Sequence, residues 1–522
     1  MDLQRHNLRP RATELGWGDG AVKEDSSFRA LPRLGQPLRR QYPQREPRIH
    51  DLVRQAAGYG DATFDEGPEP GLIGVGDTFI KRSEGFARVE VGGVNYMSCG
   101  AELIGERDAP LRRSLGVMEQ KHLGHTGSIS SDCTRVGFKS VAIQTQVGGT
   151  VAKGFEPVRE AFAANFERHG DVGAACCVHL EGRPVVDLWG GAKKPAGEAY
   201  ASDTLQMVAS TTKGVVAIAA HMLAQEGLLD FDSPVTRYWP EFGQAGKEDI
   251  PVRWLFTHRA GLAAIDRPLT LQDVFAWDPV VEALAAQRPL WEPGSAHGYH
   301  VGTYGWLAGE VIKRVSGTSV GRFVAQRIAA PLGLDVFIGL RPAFNSRVAP
   351  LIAAPPPTGP PDVFLERLLD PTSLLHRAFA NPALGTGTFN EPAFWAAEVP
   401  AANGIATARS LSRLYAACIG DVGGIRLLEA DTLARAAEVQ SSGDDLVLGY
   451  ETRYGTGFQL SFPFRPMAGE GSFGHYGMGG SVAFAHPRLG FSFAYVMNQM
   501  GPSGGVDPRT RGLIEAVLAS LP

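Results

Sequence analysis

The stretch Met207-Val208-Ala209-Ser210-Thr211-Thr212-Lys213-Gly214-Val215-Val216 indicates both the fold and the chemistry of this chain. It opens an almost wholly apolar run that continues to Gln225 and predicts a helix beginning at Met207. Gly227 follows as a C-terminal cap. Because residues three positions apart share one face of a helix, we expect the Ser210 hydroxyl beside the Lys213 amine, near the N-terminal end of that helix.

Lys213 is the only charged residue between Asp203 and Glu226. Removing an ammonium group from water favours its neutral form, and a neutral amine can accept the proton of a serine hydroxyl. The pair therefore predicts a nucleophile of the Ser–Lys kind. The alternative is purely structural, with Ser210 as a helix N-cap and Lys213 extending along the helix to solvent.

The composition is that of a globular protein. The 522 residues carry 50 basic and 55 acidic side chains, and 44% are hydrophobic. This balance gives no reason to expect binding to nucleic acid or to an anionic membrane surface. The N-terminal stretch lacks the apolar core of a secretory signal, and no apolar run reaches the ~18 residues of a membrane span. We therefore expect a soluble, cytoplasmic protein.

The cysteines give no sign of a disulfide framework. There are 5 of them, scattered along the chain, and no Cys-x-x-Cys pair predicts a zinc ribbon. The cysteine count does not bear on metal binding through His, Asp and Glu, which stays open.

Residues 1–146 differ from the rest. Residues 1–50 are rich in arginine and proline and predict a mobile arm, whereas 71–105 alternate like strands without indicating a fold. Order is expected from Val147 onward. We expect residues 1–146 to be dispensable for folding of the remainder, and to reflect in part a start codon assigned too far upstream.

Downstream of Val147, strand patterns lie near both ends and helical patterns lie between them. The predicted elements are an amphipathic helix over 157–169, a hairpin over 173–189, strands over 481–485 and 491–496, and a closing helix over 509–521. The sheet would therefore be assembled from the two ends of this part of the chain.

Four further stretches repeat, in order and spacing, the motifs of a known superfamily. They are Leu255-Phe256-Thr257-His258-Arg259-Ala260-Gly261-Leu262, Pro293-Gly294 with Tyr299-His300-Val301, Ala402-Asn403-Gly404-Ile405-Ala406-Thr407-Ala408-Arg409, and Gly474-His475-Tyr476-Gly477-Met478-Gly479-Gly480-Ser481. Together with the Ser210 motif they resemble the serine β-lactamase and penicillin-recognising superfamily, and within it the family VIII carboxylesterases. The resemblance extends from about Val147 to Pro522.

The resemblance implies an α/β (α+β), β-lactamase-like fold, in which an antiparallel sheet is flanked by helices and joined to a mostly helical subdomain. We expect the sheet subdomain at about 147–225 and 400–522 and the helical subdomain at about 226–399. Residues 1–146 would be an N-terminal extension of unassigned fold, partly disordered. The implied activity is hydrolysis of short-chain acyl esters through an acyl-enzyme, with a small-molecule ester as partner and with no metal or cofactor. The oligomeric state stays open.

The same motifs imply the site residues. Ser210 would be the nucleophile, Lys213 and Tyr299 would move protons, and the backbone N–H groups of Ser210 and Met478 would form the oxyanion hole. The residues implied to contact the substrate are His475, Gly477 and Gly479. Whether Lys213 or Tyr299 is the general base stays open. A tyrosine of ordinary pKa needs a cation nearby to act as a base, and a charged lysine cannot itself accept a proton.

Two departures from the lactamase pattern favour an ester substrate. Val301 stands where lactamases and penicillin-binding proteins have Asn, and His475 stands where they have Lys. The lost groups help to hold the amide and carboxylate of β-lactams and peptides. Weak lactam hydrolysis is still allowed. Three alternatives also stay open: an acyltransferase, a β-lactamase or D-alanyl peptidase, and a non-catalytic binding protein on the same fold.

Two other motifs are expected to be coincidental. Gly317-Thr318-Ser319-Val320-Gly321 fits the Gly-x-Ser-x-Gly nucleophile elbow, but predicted helices precede and follow it, whereas the elbow follows a strand. Ser319 is therefore predicted to cap a helix. His125-Thr126-Gly127 resembles the third motif but lies in the unexplained N-terminal part. The histidines predicted to have no catalytic role are His258 and His300.

Overall fold

A computed structural model of the protein describes residues 146–356, 360–501 and 506–522, and the backbone of five strands between residues 65 and 98. The chain separates into two units, Met1–Gly137 and Phe138–Pro522. The strands of the first unit form an antiparallel sheet in chain order: β1 (Asp65–Glu66), β2 (Leu72–Val75), β3 (Thr78–Ser83), β4 (Phe86–Val91) and β5 (Val94–Ser98). The predicted arm over 1–50 and the His125 motif lie outside the described residues.

The second unit is built on a nine-stranded antiparallel sheet. Its early strands are β6 (Val147–Val151), β7 (Gly173–Leu180) and β8 (Arg183–Gly191). Its late strands are β13 (Ser441–Asp444), β14 (Glu451–Tyr454), β15 (Gln459–Leu460), β16 (Phe473–Tyr476), β17 (Val482–His486) and β18 (Phe491–Met497). The order across the sheet is β13-β14-β15-β16-β17-β18-β7-β8-β6.

Helices cover this sheet and fill the chain between its two halves. Those before residue 260 are α1 (Glu156–Arg168), α2 (Thr212–Gln225) and α3 (Val252–Phe256). The middle of the chain contains α4 (Leu271–Ala276), α5 (Asp278–Ala286), α6 (Tyr304–Ser316), α7 (Val320–Phe323), α8 (Ala330–Leu332), α9 (Val363–Leu369), α10 (Leu374–Ala380), α11 (Thr386–Phe389) and α12 (Pro392–Ala396). The last helices are α13 (Ala408–Ile419), α14 (Ala430–Ala436) and α15 (Pro508–Ser520).

The early and late halves of the sheet meet at the pairing of β7 with β18. Cys177 lies opposite Ala494 and Val178 opposite Phe493 in this pair. Every residue of β17 and β18 is buried, which explains why these strands are mostly apolar rather than alternating. Helix α13 packs on β7, β17 and β18, while α1 packs against α15. The two ends of the unit therefore form one continuous core.

A smaller sheet positions the start of α2. It contains β9 (Leu205–Met207), β10 (Val336–Phe337), β11 (Val348–Ala349) and β12 (Ile405–Ala406), in the order β10-β12-β9-β11. The predicted helix start at Met207 is therefore wrong, because this residue ends a strand and α2 begins at Thr212. Met207 pairs with Ile405, nearly two hundred positions away in the chain, and short apolar runs do not reveal such pairing.

These observations confirm the predicted fold class: an antiparallel sheet flanked by helices, joined to a mostly helical segment. The helix predicted over 157–169 and the two late strands agree with α1, β17 and β18 within two residues. The subdomain boundaries stay predictions. Within the described residues, no helix combines the length and the apolar character needed to cross a membrane.

Candidate active site

Ser210 lies in a single 3₁₀ turn, Ala209–Thr211, between strand β9 and helix α2. Ala209 has a φ of 44°, in the left-handed region that residues with a side chain rarely adopt. The turn is held from both sides, because the Thr212 hydroxyl donates to the Ala209 carbonyl at 2.6 Å and accepts the Gly404 N–H at 2.8 Å. Hydrogen bonds from neighbouring residues of the same chain thus stabilise an unusual backbone conformation next to Ser210, as is common at functional sites.

Lys213 is fully buried one turn further along. Its Nζ lies 3.0 Å from Ser210 Oγ, 2.8 Å from the Val301 carbonyl oxygen and 2.9 Å from the Ala401 carbonyl oxygen. No carboxylate is among these partners. Burial therefore lowers the pKa of this lysine well below its usual value, and the amine is held in a neutral-favouring environment.

The three partners of Lys213 suit a neutral amine. A neutral amine has two N–H groups and one lone pair. The carbonyls of Val301 and Ala401 accept the two N–H groups, since a carbonyl oxygen can only accept. The lone pair is then left to face Ser210 Oγ. The lysine predicted beside the serine is thus within hydrogen-bond distance of it, and a proton-accepting role for Lys213 stays a prediction.

Tyr299 lies on the other side of the nucleophile. Tyr299 and Ser210 line the same cavity, and the centre of the Tyr299 ring is 4.8 Å from Lys213 Nζ. Burial raises the pKa of Tyr299 above its usual value, although the nearby Ser210 side chain opposes the shift. The hydroxyl therefore keeps its proton at neutral pH. The structure brings together Ser210, Lys213 and Tyr299, as the motifs predicted.

Asp445 anchors the tyrosine and was missed by the sequence reasoning. Its buried carboxylate accepts the backbone N–H of Tyr299 at 2.9 Å and those of Val447 and Leu448 at the same distance. Burial raises the pKa of this carboxyl, and these N–H donors oppose the rise. Because Asp445 is 146 positions from Tyr299, no local pattern could have linked the two.

His258 and His300 form a scaffold beneath Tyr299. The Nδ1–H of His300 donates to the Gly298 carbonyl at 2.7 Å, while its Nε2 accepts the Leu262 N–H at 3.0 Å. Nδ1 of His258 accepts the His300 backbone N–H at 3.1 Å. Burial lowers the pKa of His300 to about 4. Both imidazoles are thus neutral and engaged in backbone contacts, in keeping with the structural role predicted for them.

The third motif supplies the opposite wall of the site. A second 3₁₀ turn, Met478–Gly480, follows β16, and Ser481 ties it to the first turn. The Ser481 hydroxyl donates to the Val208 carbonyl at 2.8 Å and lies 3.2 Å from the Thr211 hydroxyl. A side chain at Gly477 would collide with this same Val208 carbonyl. Glycine is therefore needed for the two turns to approach each other.

The N–H groups of Ser210 and Met478 are candidates for the oxyanion hole. Both residues lie in the first two positions of short 3₁₀ turns, where N–H groups have no partner within the turn. Arg509 fixes the second turn from behind, because it donates to the Gly479 carbonyl at 2.6 Å and pairs with Asp507 at 2.7 Å. Two N–H groups on turns held in this way suit a developing negative charge.

His475 is placed differently from a typical substrate contact. The residue is 1% exposed, and its ring centre is 6.1 Å from that of Tyr299. Its Nδ1–H donates to the Tyr476 carbonyl at 2.6 Å, and burial lowers its pKa to about 3. His475 thus brings no positive charge to the position where lactamases have lysine. Its predicted substrate contact stays a prediction, and the more direct role in the structure is to pack beside Tyr299.

Two cavities open beside Ser210. The first, here called the apolar cavity, has a volume of about 110 Å³. Its walls include Met207, Ile265, Leu269, Trp306, Phe379 and Phe389. The second, here called the polar cavity, has a volume of about 90 Å³. Its walls include Tyr299, Tyr450, Gln459, Arg465, Tyr476, Gly477, Gly479 and Asp507. Gly477 and Gly479 thus border the space in which a substrate would lie, and their predicted contact with it stays a prediction.

Ser319, the competing serine, is confirmed as a helix N-cap. Its side chain accepts the Arg322 N–H at the start of α7 and donates to a Glu398 carboxylate oxygen at 2.6 Å. In the part of the chain that the structure describes, no cluster of three or more His, Cys, Asp and Glu side chains is arranged to hold a metal ion.

Comparison with known proteins places this geometry in a family. The model of the beta-lactamase family matches residues 158–517, more than half of the chain. The chain belongs to the beta-lactamase family. It is similar to the Esterase/beta-lactamase LipL of Mycobacterium tuberculosis (strain ATCC 25618 / H37Rv). The two are 36% identical over 299 residues, which cover 55% of this chain and 68% of LipL.

Solved structures give the same result for this beta-lactamase-family chain. The crystal structure of a family VIII carboxylesterase matches with a TM-score of 0.67 and 37% identity, covering 72% of this chain and 100% of that one. A penicillin-binding protein homologue from Caulobacter crescentus matches with a TM-score of 0.66 and 39% identity, over the same shares. These matches confirm the resemblance to family VIII carboxylesterases that the motifs indicated.

Proposed function

We propose that this protein is a serine carboxylesterase that hydrolyses short-chain acyl esters through an acyl-enzyme on Ser210. One observation carries the proposal: the Lys213 amine is fully buried, has two carbonyl acceptors, and lies 3.0 Å from Ser210 Oγ. A neutral amine in this position can take the serine proton. The ester hydrolase class is supported by the esterase in the name of LipL and by the family VIII carboxylesterase structure.

Acylation begins when Ser210 Oγ attacks the ester carbonyl carbon and its proton passes to Lys213. The carbonyl oxygen becomes an oxyanion and accepts the N–H groups of Ser210 and Met478. As the C–O bond breaks, Tyr299 donates its proton to the leaving alcohol and receives one from the Lys213 ammonium. Lys213 and Tyr299 both end the step neutral, and the net result is the transfer of one proton from Ser210 to the leaving alcohol.

Deacylation follows the same path in reverse, with water in place of the alcohol. Tyr299 accepts a proton from the attacking water as its own proton passes to Lys213. When the tetrahedral intermediate collapses, Lys213 returns a proton to Ser210 Oγ and the carboxylic acid leaves. This assignment makes Lys213 the general base of acylation and Tyr299 a proton relay, because burial favours the neutral form of each group.

The apolar cavity indicates the acyl group. Its volume of about 110 Å³ is below the ~300 Å³ that marks the lower end of ligand pockets in general. Its walls are mostly apolar. An acyl chain of a few carbons would therefore fit better than a long fatty acyl chain.

Hydrolysis of β-lactams is a second candidate, favoured by the word beta-lactamase in the name of LipL. Against efficient lactam hydrolysis stand Val301 and the neutral His475, where lactamases have Asn and Lys. Transfer of the acyl group to an alcohol uses the same acyl-enzyme. It is distinguished by product analysis with and without an added alcohol acceptor.

The test is a comparison of p-nitrophenyl butyrate, p-nitrophenyl decanoate and a chromogenic cephalosporin as substrates of the wild type and of Ser210→Ala. We expect the highest kcat/KM for the butyrate, and a loss of at least about a thousandfold in the variant. Faster turnover of the cephalosporin than of either ester would instead make the protein a β-lactamase.

The catalytic domain is proposed to begin near Val147. A chain that starts there should fold and hydrolyse p-nitrophenyl butyrate like the full chain; insolubility or loss of activity would contradict this boundary.

A cytoplasmic location stays a prediction from composition, to be checked by cell fractionation.

A further inference from the structure

The polar cavity contains a cation that the proposed mechanism does not use. Arg465 lines this cavity together with Ser210 and Tyr299. It lies in the loop between β15 and β16, where its backbone pairs with Phe462. Its guanidinium group lies 4.9 Å from the centre of the Tyr476 ring. The guanidinium group of Arg465 therefore stacks on an aromatic wall of the site, and such cation–π contacts commonly hold arginine side chains in position.

The charge of Arg465 is not neutralised within the part of the chain that the structure describes. None of the carboxylates there forms a salt bridge with it. The acid that shares the cavity, Asp507, is itself paired with Arg509 at 2.7 Å. Arg509 also pairs with Asp171 at 2.9 Å. The acidic groups of this region are thus engaged, whereas the guanidinium of Arg465 still has donors to offer.

The alcohol part and the acyl part of the substrate are expected to occupy different cavities. The leaving alcohol has to depart next to the Tyr299 hydroxyl, because Tyr299 gives it a proton. Tyr299 borders the polar cavity, whereas the walls of the apolar cavity do not include it. The alcohol part of an ester would therefore lie in the polar cavity, near Arg465, and the acyl part in the apolar cavity.

We propose that Arg465 binds a carboxylate on the alcohol part of the ester substrate. The proposal rests on the proposed esterase function. It makes Arg465 a specificity-determining residue: His475 brings no charge from the third motif, and the positive charge comes instead from the neighbouring loop. A guanidinium group suits this role because its donors match the two oxygens of a carboxylate.

The test uses two butyrate esters that differ in one charge, 3-(butyryloxy)benzoate and its methyl ester. We measure kcat/KM for both with the wild type, Arg465→Gln and Arg465→Lys. In Arg465→Gln, the ratio of kcat/KM for the charged ester to that for the neutral ester should fall by about tenfold or more. Arg465→Lys should keep part of the ratio, because the charge remains while the paired donors are lost.

The matched control is Arg322→Gln, which removes an exposed arginine remote from the cavity walls and should leave the ratio unchanged. An equal loss for both esters in Arg465→Gln, or an unchanged ratio, would overturn the proposal. Should the wild type hydrolyse neither ester, the proposed esterase function would be wrong. Calorimetry with Ser210→Ala would still decide the role of Arg465. Tighter binding of the charged ester that disappears in Ser210→Ala/Arg465→Gln supports it, and equal affinity for the two esters refutes it.

Discussion

Two serines of this chain lie in short motifs before a helix, yet their hydroxyls have opposite surroundings. Ser319 donates to Glu398 at 2.6 Å and accepts the Arg322 N–H, so that its hydroxyl is fully engaged in capping α7. Glu398 is engaged as well, because its other oxygen accepts the Gly321 N–H at 2.9 Å. Ser210 instead faces an amine that burial holds in the neutral form. The difference supports the proposal that Ser210 is the nucleophile, because its hydroxyl has a basic partner whereas the Ser319 hydroxyl is engaged with a carboxylate.

The largest effect should come from replacing the basic partner with a side chain that stays charged. In Lys213→Arg, the guanidinium group cannot lose its proton at working pH. We expect kcat for p-nitrophenyl butyrate to fall about a thousandfold, within the range for a general base. Circular dichroism and urea unfolding of the variant are measured in parallel, so that loss of fold is not mistaken for loss of the base. Activity near that of the wild type would show that Ser210 needs no proton acceptor at Lys213.

The next effect concerns Tyr299 and depends on the leaving group. Tyr299→Phe removes the proton donor but keeps the ring. We expect kcat/KM, which reports acylation alone, to fall about a hundredfold for ethyl butyrate, whose alkoxide must be protonated as it leaves. The fall should be much smaller for p-nitrophenyl butyrate, because nitrophenolate leaves without a proton. Equal losses for the two esters, measured by alcohol release, would contradict the role of Tyr299 as donor to the leaving group.

The dependence on pH gives a third, smaller effect. Because activity requires neutral Lys213, and burial lowers the pKa of this group from its usual 10.5, kcat/KM should rise with pH through that lowered pKa and then level off. Below it, the neutral fraction and the activity should fall about tenfold per pH unit. The raised pKa of Tyr299 keeps its hydroxyl protonated over the same range. If kcat/KM instead rises with pH through a pKa near 10.5, Lys213 is not desolvated.

The smallest effect is expected at the second serine. Ser319→Ala should keep kcat/KM for p-nitrophenyl butyrate within about twofold, because Ser319 does not line either cavity beside Ser210. The loss of its cap should lower the free energy of unfolding by about 1 kcal/mol, measured in urea. A loss of activity comparable to that of Ser210→Ala would reverse the comparison between the two serines.

The sequence was sufficient to predict the fold class and the meeting of Ser210, Lys213 and Tyr299, because matched motifs carry that information. The residues that support the site could not be predicted from the sequence. Asp445 acts on Tyr299 across 146 positions, and Arg509 holds Gly479 from a helix at the end of the chain. The proposal that Lys213 is the general base also needed the structure, because it rests on the burial of Lys213 and on the two carbonyls beside it.

Covalent labelling tests most directly the claim that Ser210 is the nucleophile and that Lys213 activates it. The protein is treated with a p-nitrophenyl alkylphosphonate, digested, and sequenced by mass spectrometry, with wild type and Lys213→Arg compared at equal times. We expect the phosphonate on Ser210 in the wild type, labelling about a thousandfold slower in Lys213→Arg, and unmodified Ser319 in both. Phosphonate on Ser319, or equally fast labelling of Ser210 in the two proteins, would contradict the account.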